Sequence, residues 1–294
     1  MRYQDQEIAV VLTALYLPGI NCKPPLPRMR WRRVDALLRA QSASLETASK
    51  LLSRAGFWLE ASALGVPGLL NQAQCLLSAG NVLTACSPLY PQRWLTLLGH
   101  SAPPVFWCAE EIPSSAYITV VGSRHPDKPA RSFAIEMGRT VIRQGACLVS
   151  GAAQGIDRAA ARGAMAACHE AGIEPLIIEI LPHGIELGEP ASHCRLSAVA
   201  PREPFSAAAA MERNALLYAA SPRSLVIAPR LRQGGAWIGA RECLRRRLSH
   251  LCVYDDQSTA ARALIALGAR GIVSPCELFE QEPKQEAHLF HLSE

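Results

Sequence analysis

Two short stretches place small residues where an apolar run ends and an amphipathic one begins. In Val120-Val121-Gly122-Ser123-Arg124 the run YITVVG closes on a glycine, a hydroxyl and a guanidinium. In Ser150-Gly151-Ala152-Ala153-Gln154-Gly155-Ile156-Asp157 the run ACLVSG closes on two glycines and a carboxylate. A strand-to-helix turn of this make exposes backbone N–H groups, and its arginine can grip a phosphate through two parallel hydrogen bonds. The chemistry is anion binding. Asp157 is placed to cap the following helix through its first N–H groups. The alternative is that small residues only let a strand pass tightly into a helix. The G-x-R spacing is not the dinucleotide fingerprint G-x-G-x-x-G.

The elements around these turns decide where they lie. After Tyr117 short apolar runs (YITVVG, CLVSG, PLIIEIL, LSAVA, SLVIAP, HLCVYD) alternate with helical ones, at about Ala130 to Gln144, about Asp157 to Ala171, ERNALLYAA and GARECLRRRL. Continuous apolar strands separated by helices are buried on both faces and pair in parallel. The expected fold is α/β, a Rossmann-like, doubly wound, mainly parallel sheet, in which ligands bind at the carboxyl ends of the strands. Both glycine turns then fall on that edge. Residues 1–95 read as an N-terminal helical domain: EIAVVLTALYL, the run WRRVDALLRAQSASLETASKLLSRAG, and a segment around Leu69 to Leu77. The proline-dense NCKPPLPR breaks it. Residues 96–282 form the Rossmann-like domain and 283–294 a short tail.

Composition narrows the function. Of 294 residues 49% are hydrophobic, enough for one substantial core and a smaller appended unit. No apolar run spans a bilayer, and acidic residues occupy the start where a signal peptide is basic, so a cytoplasmic protein without membrane contact is expected. Ten cysteines without a CxxC pair point to reduced thiols. Cys168-His169 and His193-Cys194 are sequence neighbours, which rarely give one zinc two ligands. No metal or cofactor is expected. The net charge of +5 is modest. Two basic clusters, Arg28, Arg30, Arg32 and Arg33, then Arg241, Arg245, Arg246 and Arg247, suit either phosphates or a solvated helix face.

Taken together, YPQRWLTLLGHSAPPVFWC, VVGSR, LVSGAAQGID, the dipeptide Arg213-Asn214 and ALIALGARGIVSPCELF resemble the DNA-processing protein A (DprA/Smf) family over residues 85 to 280. The resemblance implies a Rossmann-like protein that binds single-stranded DNA in a basic pocket and forms a homodimer. It also implies delivery of strands to a RecA-type recombinase during transformation or related recombination. Carried over by residue, Gly122, Ser123 and Arg124 contact backbone phosphate. Ser150, Gly151, Gly155 and Asp157 shape the adjoining loop, and Arg213 with Asn214 completes the pocket. Gly234 and Gly235 belong to the same phosphate-binding set. Phe205 and Trp237 are candidates for stacking on bases or, equally, for core packing. The chain departs from the family pattern at Ala160-Ala161, where an Ala-His pair is usual, and across Gly234 to Ala240. No C-terminal winged helix is expected.

Those departures leave other readings open. QGGAWIGARE is similar to a loosened glycine-rich element of the lysine-decarboxylase-like phosphoribohydrolases, which cleave nucleoside monophosphates. There Glu242 and Arg241 would flank the ribose, and Gly234 and Gly235 would cradle phosphate. A nucleotide-sensing scaffold in a defence or regulatory complex would use the same turns. The leading expectation is a binding protein rather than an enzyme.

Overall fold

A computed structural model of the chain describes residues 3–17, 30–186 and 191–280. The NCKPPLPR loop, Arg28 and the tail 283–294 lie outside the described residues. Five helices come first: α1 (Tyr3–Tyr16), α2 (Trp31–Ala40), α3 (Leu45–Arg54), α4 (Trp58–Leu64) and α5 (Leu69–Ser78). The helical run from Trp31 divides into α2 and α3. Ser42 takes a left-handed φ of 47°, and Ser44 restarts the chain with a reciprocal capping box to Thr47. Burying both halves against α1 requires the chain to turn there.

The remainder is one nine-stranded sheet with its helices: β1 (Val82–Thr84), α6 (Gln92–Leu98), β2 (Val105–Ala109), β3 (Ala116–Gly122), α7 (Lys128–Arg143), β4 (Ala146–Ser150), α8 (Ile156–Ala171), β5 (Ile177–Leu181) and β6 (Cys194–Ser197). Then follow α9 (Ala207–Ala220), β7 (Arg223–Ile227), α10 (Gly234–Arg246), β8 (His250–Tyr254), α11 (Thr259–Ala266) and β9 (Arg270–Ile272). The strand order is β1-β2-β6-β5-β4-β3-β7-β8-β9. Pairing is parallel from β6 to β9, and antiparallel for β1 with β2 and β2 with β6. The α/β, Rossmann-like, mainly parallel architecture preceded by helices is therefore as expected. β1 precedes residue 95 and yet belongs to the sheet.

Winding proceeds from β3 outward to β6, then returns through α9 to place β7 on the other side of β3. The reversal opens a crevice at the carboxyl ends of β3 and β7. Side-chain alternation sorts the two faces. Ile118 and Val120 of β3 pack with Phe133, Met137 and Ala160 of α7 and α8. Val121 belongs to the opposite core with Leu216 of α9, Trp237 of α10 and the N-terminal helices.

The motif YPQRW ties the helical region to that second layer. Tyr90, Trp94 and Phe106 form an aromatic cluster, with Trp94 and Phe106 stacked at 4.7 Å. Trp94 Nε1 donates to the Leu216 carbonyl at 2.9 Å, and Arg93 reaches the carbonyls of Ser221 and Leu248. Thr119 Oγ1 donates to the Leu217 carbonyl at 2.7 Å, which locks α9 onto β3.

On the other face α7 and α8 touch backbone to backbone. A Cβ at Gly163 would strike the Ile135 carbonyl, and one at Gly138 the Ala160 carbonyl. Gly163→Ala should therefore force the helices apart and lower stability by about 1–3 kcal/mol, the usual penalty of overpacking. Thermal or urea unfolding reads this directly, and an unchanged midpoint would show that the helix pair yields freely.

Candidate phosphate-binding site

The crevice at the β3 and β7 ends holds a cavity of about 370 Å³. Its walls come from the turn after β3 (Gly122, Ser123, Arg124, His125), from α8 (Asp157), from α9 (Arg213, Asn214, Leu217, Tyr218), and from Arg230 to Ala236 at the start of α10. The structure thus brings together Gly122, Ser123, Arg124, Asp157, Arg213, Asn214, Gly234 and Gly235. Ser150, Gly151 and Gly155 lie behind this wall and shape it.

Each glycine turn is held by close contact. Gly155 has φ of +94°, a left-handed conformation that disfavours side chains, and a Cβ there would meet the carbonyls of Ser123 and Arg124. The two turns therefore interlock, and Ile156 N donates to the Ser123 carbonyl at 3.0 Å. Gly151 is crowded by the Arg213 guanidinium and the Asp157 carboxylate. Ser123 is buried, and its Oγ accepts from His125 N at 3.1 Å, tightening the turn that presents Arg124. Arg124 itself is exposed and, among the described residues, forms no ion pair.

Asp157 does not cap α8. Its Oδ1 accepts from Gly122 N at 3.1 Å and its Oδ2 from Ala153 N at 3.3 Å, so the carboxylate reaches back and joins both turns. Arg213 lines the cavity from below. It is buried, and Nη1 donates to the carbonyls of Gly151 at 2.5 Å and Ile180 at 3.0 Å. It props the strand ends from beneath, while Arg124 stands at the mouth. Burial governs both charges. It pushes the Asp157 carboxyl up to about 6 against the opposing pull of Arg213 and backbone N–H groups. It also lowers Arg213 in spite of Asp157.

Trp237 is 5% exposed within the core, so it cannot stack on a base. It sits there because α10 starts at Gly234, and Trp237, Ala240 and Cys243 make one inward stripe. Phe205 is exposed just ahead of α9 and does not line the cavity. The cluster Arg241, Arg245, Arg246 and Arg247 belongs to the far end of α10. Arg245 pairs with Glu242 at 2.6 Å, and Arg247 is the helix C-cap. Glu242 is about 10 Å along the helix from Gly235 at 1.5 Å per residue. It lies outside the cavity and is held below the usual carboxylate range by Arg245. That geometry gives it no place in ribose chemistry at this pocket.

Sequence reading missed Arg230, Gln233 and Tyr218. The signal for Arg230 was present: it follows the strand SLVIAP on the same sheet edge as Arg124. Among the described residues no group of His, Cys, Asp and Glu could hold a metal, and no helix is long and apolar enough to cross a membrane.

Residues 81–283 match the family model described as DNA recombination-mediator protein A. The chain belongs to that family. Among solved structures it is similar to DNA processing protein A from Streptococcus pneumoniae. That match has 17% identity and a TM-score of 0.64, covering 96% of this chain and 100% of that one. It is also similar to DNA processing protein A from Helicobacter pylori, described for its single-stranded DNA binding mode. There the identity is 20% and the TM-score 0.55, covering 67% of this chain and 93% of that one. At such identities these likenesses speak for the fold. No curated protein matches the chain significantly.

The raised Asp157 pKa has a measurable consequence. A carboxyl that holds its proton more tightly when folded destabilises the native state as pH rises from near 4, its ordinary range, to about 6. Asp157→Asn removes this titration. The wild-type melting temperature relative to the variant should fall across that window, and a difference independent of pH would contradict the burial argument.

Proposed function

We propose that this member of the recombination-mediator family binds single-stranded DNA through the cavity at the β3 and β7 ends. The observation that carries the reading is Arg124. It stands exposed on an interlocked glycine turn, free of acidic partners among the described residues, and opposite the first turn of α10. First-turn N–H groups lack intrahelical partners and carry the positive end of the helix dipole. No side chain caps α10, so these donors are left to an anion. Buried Asp157 is offset by Arg213 below, and the surface that a ligand meets is cationic. The protein then shields strands and passes them to a RecA-type recombinase as a homodimer, in the cytoplasm, without chemistry on the nucleotide. Family membership and the absence of Glu242 from the cavity support a binding role over the phosphoribohydrolase alternative.

Binding should favour single strands over blunt duplex, with little sequence preference, because the contacts are to phosphate. Equal competition by duplex in an anisotropy titration would refute this. Light scattering at micromolar concentration should give a dimer.

Arg124→Ala should leave the melting temperature unchanged, since the side chain is exposed, and weaken single-strand affinity by about 1–3 kcal/mol. The slope of log affinity against log salt should become shallower by about 0.7, the value for one phosphate on a single strand. A folded variant with the original affinity and slope would reduce the motif to a tight turn.

A further inference from the structure

Tyr218 separates two cavities. Its ring and Asn214 line both the phosphate-turn cavity and a second one of about 560 Å³, bounded by Leu98, Met211, Ile238 and Leu248. The ring seals the seam between α9 and α10 so closely that a Cβ on Gly239 would lie 2.9 Å from Tyr218 Cε2. Tyr218 is 2% exposed, and among the described residues its hydroxyl has no hydrogen-bond partner. Arg213 Nε, buried in the same wall, is also unpartnered. Buried polar groups without partners are costly, and both of these belong to residues that line the cavity.

The cavity's charge exceeds what one internal phosphodiester needs. Arg124 and Arg230 both line it and form no ion pair among the described residues. The uncapped first turn of α10 adds further donors. An internal phosphodiester brings one negative charge and two free oxygens. A phosphate monoester brings up to two charges and three oxygens. A strand bound through an internal phosphate runs on from the cavity in both directions, and Tyr218 closes the direction that leads between α9 and α10. A volume of about 370 Å³ is on the scale of a single small ligand.

We propose that this cavity is a terminal-nucleotide pocket, taking a phosphate monoester as the phosphorylated end of a single strand or as a free mononucleotide. The inference rests on the phosphate-binding reading above and specifies which phosphate is bound. The monoester lies between Arg124, Arg230 and the start of α10, with the attached nucleoside directed toward Asn214 and the Tyr218 hydroxyl.

Competition anisotropy on the full chain tests this, using a single-stranded probe labelled at its 3′ end and phosphorylated at its 5′ end. Competitors are the unlabelled 5′-phosphorylated strand, the same strand with a 5′-hydroxyl, a covalently closed single-stranded circle of that sequence, blunt duplex, and adenosine monophosphate. The phosphorylated strand should compete about tenfold better than the hydroxyl strand and the circle. Arg230→Ala, at an exposed position, should erase that advantage, bringing the phosphorylated strand down to the level of the hydroxyl strand. Tyr218→Ala should open the partition and raise the circle toward the phosphorylated strand, whereas Tyr218→Phe should keep the two apart. Displacement by adenosine monophosphate at concentrations near those of the strand identifies the free nucleotide as a ligand. Its failure, with the end preference intact, identifies the strand end. A circle that competes as well as the phosphorylated strand overturns the terminal pocket and leaves single-strand binding standing. Duplex competing as well as every single strand overturns the underlying reading as well.

Discussion

The site depends on two opposed charges buried on either side of Gly151. Asp157 takes N–H groups from the turn after β3 and the turn after β4, and Arg213 gives N–H groups to the ends of β4 and β5. Together they fasten three strand ends to α8 and α9 at the point where the sheet reverses its winding. Desolvation of both ions is expensive, as the upward shift of Asp157 and the downward shift of Arg213 attest. Hydrogen bonds to four backbone groups offset it. Because backbone groups are the partners, the network fixes the course of the chain and not merely the side chains. The turn that presents Arg124 is held in place from below.

Cancellation at depth also determines what a ligand meets. With Asp157 opposed by Arg213, the mouth carries Arg124, Arg230 and the start of α10, and neither arginine forms an ion pair among the described residues. Two arginines of one cavity thereby do different work. Arg213 uses one nitrogen, Nη1, to satisfy two carbonyls, while Arg124 leaves its donors to solvent or to an incoming phosphate. Residue type alone does not separate these roles; depth does.

Much of the fold was legible because buried parallel strands have to be continuously apolar, and the glycine turns marked their ligand ends. The antiparallel edge formed by β1 and β2 was less so, since three residues at Val82–Thr84 are too few to show a period. The break between α2 and α3 was written in Ser44 and Thr47 but hidden within a helical run. Within the site, position along the sheet edge was readable and side-chain direction was not. Arg213 and Asp157 were placed at the right edge, yet only packing reveals that one turns beneath the strands and the other backward across the turns. Trp237 was open between stacking and core packing because its helix boundary was not readable, and starting α10 at Gly234 aligns it with Ala240 and Cys243 on the buried stripe.

The N-terminal region reaches the cavity without lining it. Arg32 on α2 donates to the Leu95 carbonyl of α6 at 2.8 Å, and Trp94 on α6 donates to Leu216 on α9, three residues beyond Arg213. One chain of contacts therefore runs from the helical layer to the helix that carries Arg213, Asn214 and Tyr218. A shift of α6 would move α9 against β3, where Thr119 holds the Leu217 carbonyl. The aromatic cluster of Tyr90, Trp94 and Phe106 thus bears on the placement of α9 through Trp94, since packed interiors transmit displacement rather than absorb it. The motif YPQRW does not line the cavity, and it bears on the site through α9, which Trp94 holds by its bond to the Leu216 carbonyl.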